Sequence, residues 1–270
     1  MIGKNIVIAG DGHFHLYPCY DPAGAINDLV NNLDLMAGSA RGFEREDVFK
    51  IAFLAESRQY NYFHKILKGE ISFKTVGLEV SAGPEPHCVS FNKNGKQALG
   101  LVAGRQIVAR EKIEVLGLGM EEIVPDGLPA EEAIEKVIAA GGLPVLAFSP
   151  GKWLFKRANV VRHLAEKYGP KLIIGDSALR PLGWPEPEIM RLPERILPGS
   201  DPLPMPGEEK YAGCYGFVYK GLFDASKPLT SMKEIIAGHS EAIFSAGRRC
   251  SIINVAGRLF RLRTMKWLFQ

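Results

Sequence analysis

Apolar residues recur along the chain in two rhythms that alternate. Residues 5–9 form a short run rich in β-branched side chains. Over residues 21–39, Ile26, Leu29, Val30, Leu33 and Met36 recur at offsets of three and four, which predicts a helix with Asp21-Pro22 as its start signal. Residues 48–55 (VFKIAFLA) read as a strand and residues 60–67 as a weaker helix. Between Ser72 and Arg110 the rhythm changes. Residues 73–81, 87–91, 98–102 and 106–109 are strand-like and separated by turn residues, which predicts a hairpin-rich excursion. The alternation then resumes, with strands at 113–118, 143–148, 171–174 and 195–197 and helices at 129–140 and 153–168. Repeated strand–helix units predict an α/β fold on a mainly parallel sheet.

Composition narrows this picture. Hydrophobic residues are 46% of the 270 and charged residues 23%, enough to bury a sizeable core. With 29 glycines and 18 prolines the chain is rich in loops, unlike a helical bundle. Residues 184–206 hold seven prolines and read as a rigid, irregular segment. Nothing marks a boundary, so 1–270 is read as one domain, with 223–270 as a C-terminal extension on it. The net charge of +3 is too small to predict a nucleic-acid partner, though it allows a local anion site. Four cysteines without CxxC spacing read as reduced thiols in a cytoplasmic protein. The longest uncharged run, residues 137–151, is shorter than the ~18 residues of a membrane span, so no transmembrane segment is expected.

Polar residues cluster where the apolar strands end. Asp11-Gly12-His13-Phe14-His15 follows the first, Glu56-Ser57 the second, Ser149-Pro150-Gly151-Lys152 the strand LPVLAF, Asp176-Ser177 the strand KLIIG, and Gly199-Ser200-Asp201 the last. Ligands bind at the carboxyl ends of strands in parallel α/β folds. His13 and His15, two residues apart in an extended segment, point the same way and can hold one metal ion, with Asp11 orienting them. Lys152, at a strand-to-helix turn, is a candidate anion-binding cation. Other chemistries lack their signatures. The glycine pair Gly10/Gly12 has His15 where a dinucleotide fingerprint needs glycine, and there is neither a phosphate-binding GxxxxGK[ST] loop nor a GxSxG elbow.

Asp11-x-His13-x-His15 after a strand, Glu79 in VGLEVSA, the stretch 104–119 (GRQIVAREKIEVLGLG) and the GSD at 199–201 together resemble the PHP (polymerase and histidinol phosphatase) domain family over roughly residues 3–222. The resemblance implies a distorted β/α barrel, TIM-like and seven-stranded, carrying the hairpin-rich part as an insertion. It also implies metal ligands at His13, His15, Glu79 and Asp201. Three histidines of the family's pattern are replaced, near Glu56, Ser149 and Leu203, so one divalent ion (zinc, manganese or iron) is implied rather than three. The implied activity is hydrolysis of a phosphate ester on a small anionic substrate, with Asp176 or Glu56 as general base and Lys152 steadying the phosphate. The replaced histidines leave a second reading open: a barrel that has lost catalysis and serves as a binding or scaffold protein. The segment 242–270 carries six basic residues and no acid, interleaved with apolar ones. It reads either as a helix packed on the barrel or as a tail for a membrane surface, RNA or a partner.

Overall fold

A computed structural model of the chain describes residues 4–39, 48–153, 155–191, 196–238 and 243–268. The apolar runs form β1 (Lys4–Phe14), β2 (Val48–Ser57), β3 (Glu79–Ala82), β4 (Cys88–Lys93), β5 (Lys96–Val108), β6 (Glu114–Leu118), β7 (Leu143–Ala147), β8 (Ile173–Ser177), β9 (Ile196–Gly199), β10 (Tyr215–Phe223) and β11 (Ile243–Gly247). The helices are α1 (Pro22–Ser39), α2 (Tyr62–Leu67), α3 (Ala130–Ala139), α4 (Lys156–Tyr168), α5 (Pro228–Gly238) and α6 (Ile252–Leu268). Leu154 and Arg195, within the predicted spans 153–168 and 195–197, lie outside the described residues.

The strands join in one mixed sheet in the order β11-β10-β1-β2-β5-β6-β7-β8-β9, with the β3–β4 hairpin branching from β5. The path therefore has nine strands and curls into a nearly closed barrel, where seven were expected. It is also less parallel than expected: β6 runs against both β5 and β7, and β10 runs against β1. The interior holds Ile8, Phe53, Leu116, Val145, Ile173, Leu197 and Phe217, one or more from each of seven strands. Leu229, Met232, Ile235 and Ile236 of α5 pack into the same cluster. Outside, α1 packs through Ile26, Leu29 and Leu33 against β1 and β2, and α3 and α4 cover β6–β8.

Two predictions within the hairpin region differ in the structure. Residues 98–102 and 106–109 belong to one long strand, because β5 pairs with β4 along its first half and with β6 along its second. Residues 73–78 do not extend: Lys74–Val76 forms a 3-10 turn and Gly77 takes a left-handed φ of 70° before β3 begins. The sequence reading did not resolve β10, α5 or β11.

The basic C-terminal segment is, from Ile252 to Leu268, a helix packed on the barrel. Leu259, Leu262 and Met265 of α6 meet Leu179, Leu203 and Met205. Arg258 is buried against Glu208 and stacks on the Tyr211 ring at 4.0 Å. No described helix is long and apolar enough to cross a membrane.

Candidate metal centre

The open edge of the barrel is stitched shut by two aspartates. Asp11, at the end of β1, is fully buried. Its carboxylate accepts hydrogen bonds from the backbone N–H groups of His13 (3.0 Å), Ser200 (2.9 Å) and Gly213 (3.0 Å) and from the Ser200 hydroxyl (2.5 Å). Burial pushes the Asp11 carboxyl up, and these four donors pull against it. In return the Asp201 N–H donates to the His13 carbonyl at 2.8 Å. Such a close approach needs glycine at 199, since a Cβ there would sit 2.3 Å from the His13 nitrogen. Asp201 itself holds a left-handed φ of 46°, which aspartate tolerates better than most residues.

These contacts bring three ligating groups together. Asp201 Oδ1 lies 3.8 Å from His13 Nε2 and 3.5 Å from His15 Nε2, and one ligand atom from each residue falls within 4.8 Å of the others. All three residues are buried. The rings are fixed by their neighbours: His13 meets His15 edge-on at 4.7 Å, and His15 stacks on Tyr17 at 5.1 Å. Gln106 Oε1 lies 3.2 Å from His13 Nε2, and the Ser177 hydroxyl donates to Asp201 Oδ2 at 3.2 Å. Burial and the neighbouring His15 hold His13 below the usual imidazole range, so at neutral pH it is the neutral, ligating form. Burial alone would raise Asp201, but the positive charge that His13 and His15 carry once protonated, the His15 hydrogen bond and Lys152 outweigh it and hold the carboxyl at about 2. Two imidazoles and one ionised carboxylate, buried together, could hold a metal ion.

The other expected site residues are placed elsewhere. Glu79 opens β3 with its side chain exposed, on a hairpin off the barrel path, and it is not part of the His13–His15–Asp201 group. Glu56 and Asp176 stand at the right height but on the outer face. In β2, Ile51, Phe53 and Ala55 point inward, so Ser57 follows them and Glu56 points out. Glu56 accepts hydrogen bonds from the N–H groups of Tyr62 and Phe63 at the start of α2, and lies 3.5 Å from Arg105. Burial pushes its carboxyl up. In β8, Ile173 points inward and Asp176 outward. Arg180 grips Asp176 through both carboxylate oxygens, at 2.7 and 2.6 Å, and the Tyr215 hydroxyl donates to it at 2.6 Å. With the Ser177 N–H as a fourth donor at 2.9 Å, both Asp176 oxygens are fully engaged. Lys152 does reach the mouth, in an ion pair with Glu114.

Glu114 and Gln106 are the mouth residues that the sequence reading missed. The signal for Glu114 was the five-residue link between β5 and β6, which is too short for a parallel crossover and so fixes an antiparallel pair. A second histidine group lies outside the barrel: His64 Nε2 and His87 Nδ1 meet opposite oxygens of Glu121 at 2.8 and 2.7 Å. It sits where β5 changes partner from β4 to β6, at Ala103, whose N–H and carbonyl bond His87 and Gly119. A cavity of about 630 Å³, lined by Trp153, Trp184, Ile252 and Leu259 among others, lies under α6 and away from the histidines.

No protein-family model matches the chain, and no curated protein matches it. Among solved structures it is similar in fold to PsfC from Pseudomonas syringae PB-5123, with a TM-score of 0.53 and 11% identity over 99% of this chain and 100% of that one. Two others align over 87% of this chain. One is the novel lesion-specific endonuclease PfuEndoQ from Pyrococcus furiosus (TM-score 0.48, 14% identity), and the other is Endonuclease Q in complex with a 27-mer duplex substrate with an abasic lesion at the active site (TM-score 0.45, 12% identity). This chain spans 56% and 57% of those two chains.

Proposed function

We propose that the protein is a metal-dependent hydrolase of the PHP type acting on a phosphate ester, with one divalent ion at the barrel mouth. The observation that carries this reading is the buried His13–His15–Asp201 triad, three ligating groups within 4.8 Å of one another. His13, His15 and Asp201 would hold the ion. Bound there, a divalent cation supplies Lewis-acid polarisation of a phosphoryl oxygen and lowers the pKa of water. Tyr17 stacks on and fixes the His15 imidazole, Ser177 fixes the Asp201 carboxylate, and Lys152 offers a point charge to the phosphate.

A second reading, a barrel that binds without hydrolysing, draws on the engagement of both expected bases: Asp176 is locked by Arg180 and Tyr215, and Glu56 by the start of α2. Hydrolysis of a panel of nitrophenyl phosphate mono- and diesters, with zinc, manganese or iron supplied, separates the two. Turnover by the native chain that disappears in His13→Ala/His15→Ala is expected. A metal-bound chain with no turnover on any ester favours the binding protein.

A further inference from the structure

Lys152 meets a carboxylate that belongs to neither the triad nor the outer pairs. Glu114 is the first residue of β6, opposite Val108 of β5 and Ala147 of β7. Because β6 runs against both neighbours, its first residue lies at the end of the barrel where those strands finish. Glu114 shares a face with Leu116 and Leu118, which point into the interior. Its side chain therefore opens on the same mouth as Gln106, the neighbour of His13. Only 12% of that side chain is exposed, against 34% for Lys152. The lysine comes from the turn after β7, held by the Lys152 N–H bond to the Ser149 carbonyl.

Resting on the phosphate-ester reading above, we propose that Glu114 and Lys152 form an anion gate: Lys152 is the cation that receives the substrate's phosphate, and Glu114 occupies it until that phosphate arrives. The exchange selects a class of substrate. Glu114 offers Lys152 one negative charge. A terminal phosphate monoester carries about −1.5 to −2 at neutral pH and displaces it, whereas an internal diester carries a single charge and has no such advantage. The substrate class is therefore a phosphomonoester. No bond changes in the exchange, since one ion pair replaces another.

Binding of inorganic phosphate, followed by titration calorimetry on the metal-supplemented chain, tests the gate. Glu114→Gln leaves Lys152 unoccupied and is expected to tighten phosphate binding about tenfold, while Lys152→Met leaves the Glu114 carboxylate facing the anion and weakens it by about tenfold or more. Glu114→Gln/Lys152→Met leaves neither charge unpaired and serves as the folding control, binding no tighter than Lys152→Met. Dimethyl phosphate is expected to bind the native chain at least about tenfold more weakly than phosphate. Equal affinity of native chain and Glu114→Gln, native-like binding by Lys152→Met, or no phosphate binding at all overturns the gate. Metal content measured on the same samples keeps the two proposals apart. A native chain without metal defeats the hydrolase reading, while one with metal and unshifted phosphate affinities defeats the gate alone.

Discussion

Arg258→Met isolates what the basic C-terminal helix does for the fold. Arg258 and Glu208 side chains are 7% and 2% exposed, so the pair is out of water. The guanidinium donates through Nε to both Glu208 oxygens, at 3.1 and 2.9 Å, and through Nη2 to one of them, and it covers the Tyr211 ring. Removing the arginine strands a buried carboxylate whose remaining partner in this set is the Leu203 N–H, at 3.4 Å. Breaking one side of such a pair costs about 3–5 kcal/mol, while replacing both members is close to neutral. Against a total stability of about 5–15 kcal/mol, that is a large fraction. With a urea slope of about 2–3 kcal/mol/M for a chain of this size, the midpoint is expected to fall by about 1–2 M. Arg258→Met/Glu208→Gln is expected to recover more than half of the loss. The assay is urea unfolding followed by tryptophan fluorescence and far-ultraviolet circular dichroism, whose transitions should coincide. An Arg258→Met midpoint within about 0.2 M of native would refute the reasoning and return α6 to the status of a dispensable tail.

Three further outcomes follow from the geometry. Asp176→Asn is expected to lower stability by about 3–5 kcal/mol, because Arg180 stays buried without its anion, and to leave metal content unchanged; loss of metal with native stability would place Asp176 in the site after all. Burial pushes the Cys88 and Cys214 thiols up to about 12, so at pH 8 the thiolate fraction is on the order of 10⁻⁴, and raising the pH to 9 raises it only about tenfold. Both are expected to stay unlabelled by a chromogenic disulfide reagent until urea is added, and rapid native labelling of buried Cys88 or half-buried Cys214 would contradict the raised thiols. Glu121→Gln, at the point where β5 changes partner, is expected to lower stability by about 1–2 kcal/mol without changing metal content, read by the same urea and elemental measurements.

How far the sequence predicts this site depends on what each signal encodes. The His13/His15 pair was legible because a spacing of two in an extended segment already fixes a common direction. Asp201 was legible as a strand-end acid, but its ligand role came only from the family resemblance; no local pattern says that residues 199–201 return to β1, and the contacts that bring them there, Asp11 to Ser200 and Asp201 to His13, join residues almost 200 positions apart. Glu56 and Asp176 show the limit of reading strand ends. Position along a strand gives height in the barrel, but the side is set by parity, and the inward Ile51-Phe53-Ala55 and Ile173 send the two acids outward. Glu79 entered as a ligand through the family resemblance alone, and it stands exposed on the β3–β4 hairpin, off the barrel path. Glu114 escaped notice because it begins a strand, and only the reversal of β6 turns a beginning into a mouth position. The C-terminal segment was ambiguous by composition, since charge and apolar residues alternate alike in a membrane-seeking helix and in one whose Arg258 is buried against a distant Glu208.

The central claim is that one metal ion is held by His13, His15 and Asp201 and not by Glu79. Elemental analysis of the untagged native chain, Asp201→Asn and Glu79→Gln, each incubated with zinc, manganese or iron and then desalted, tests it most directly. The account predicts close to one equivalent of one metal in the native chain and in Glu79→Gln, and a large loss in Asp201→Asn. A native chain that retains none of the three metals, or a Glu79→Gln variant that loses its metal while Asp201→Asn keeps it, would contradict the account.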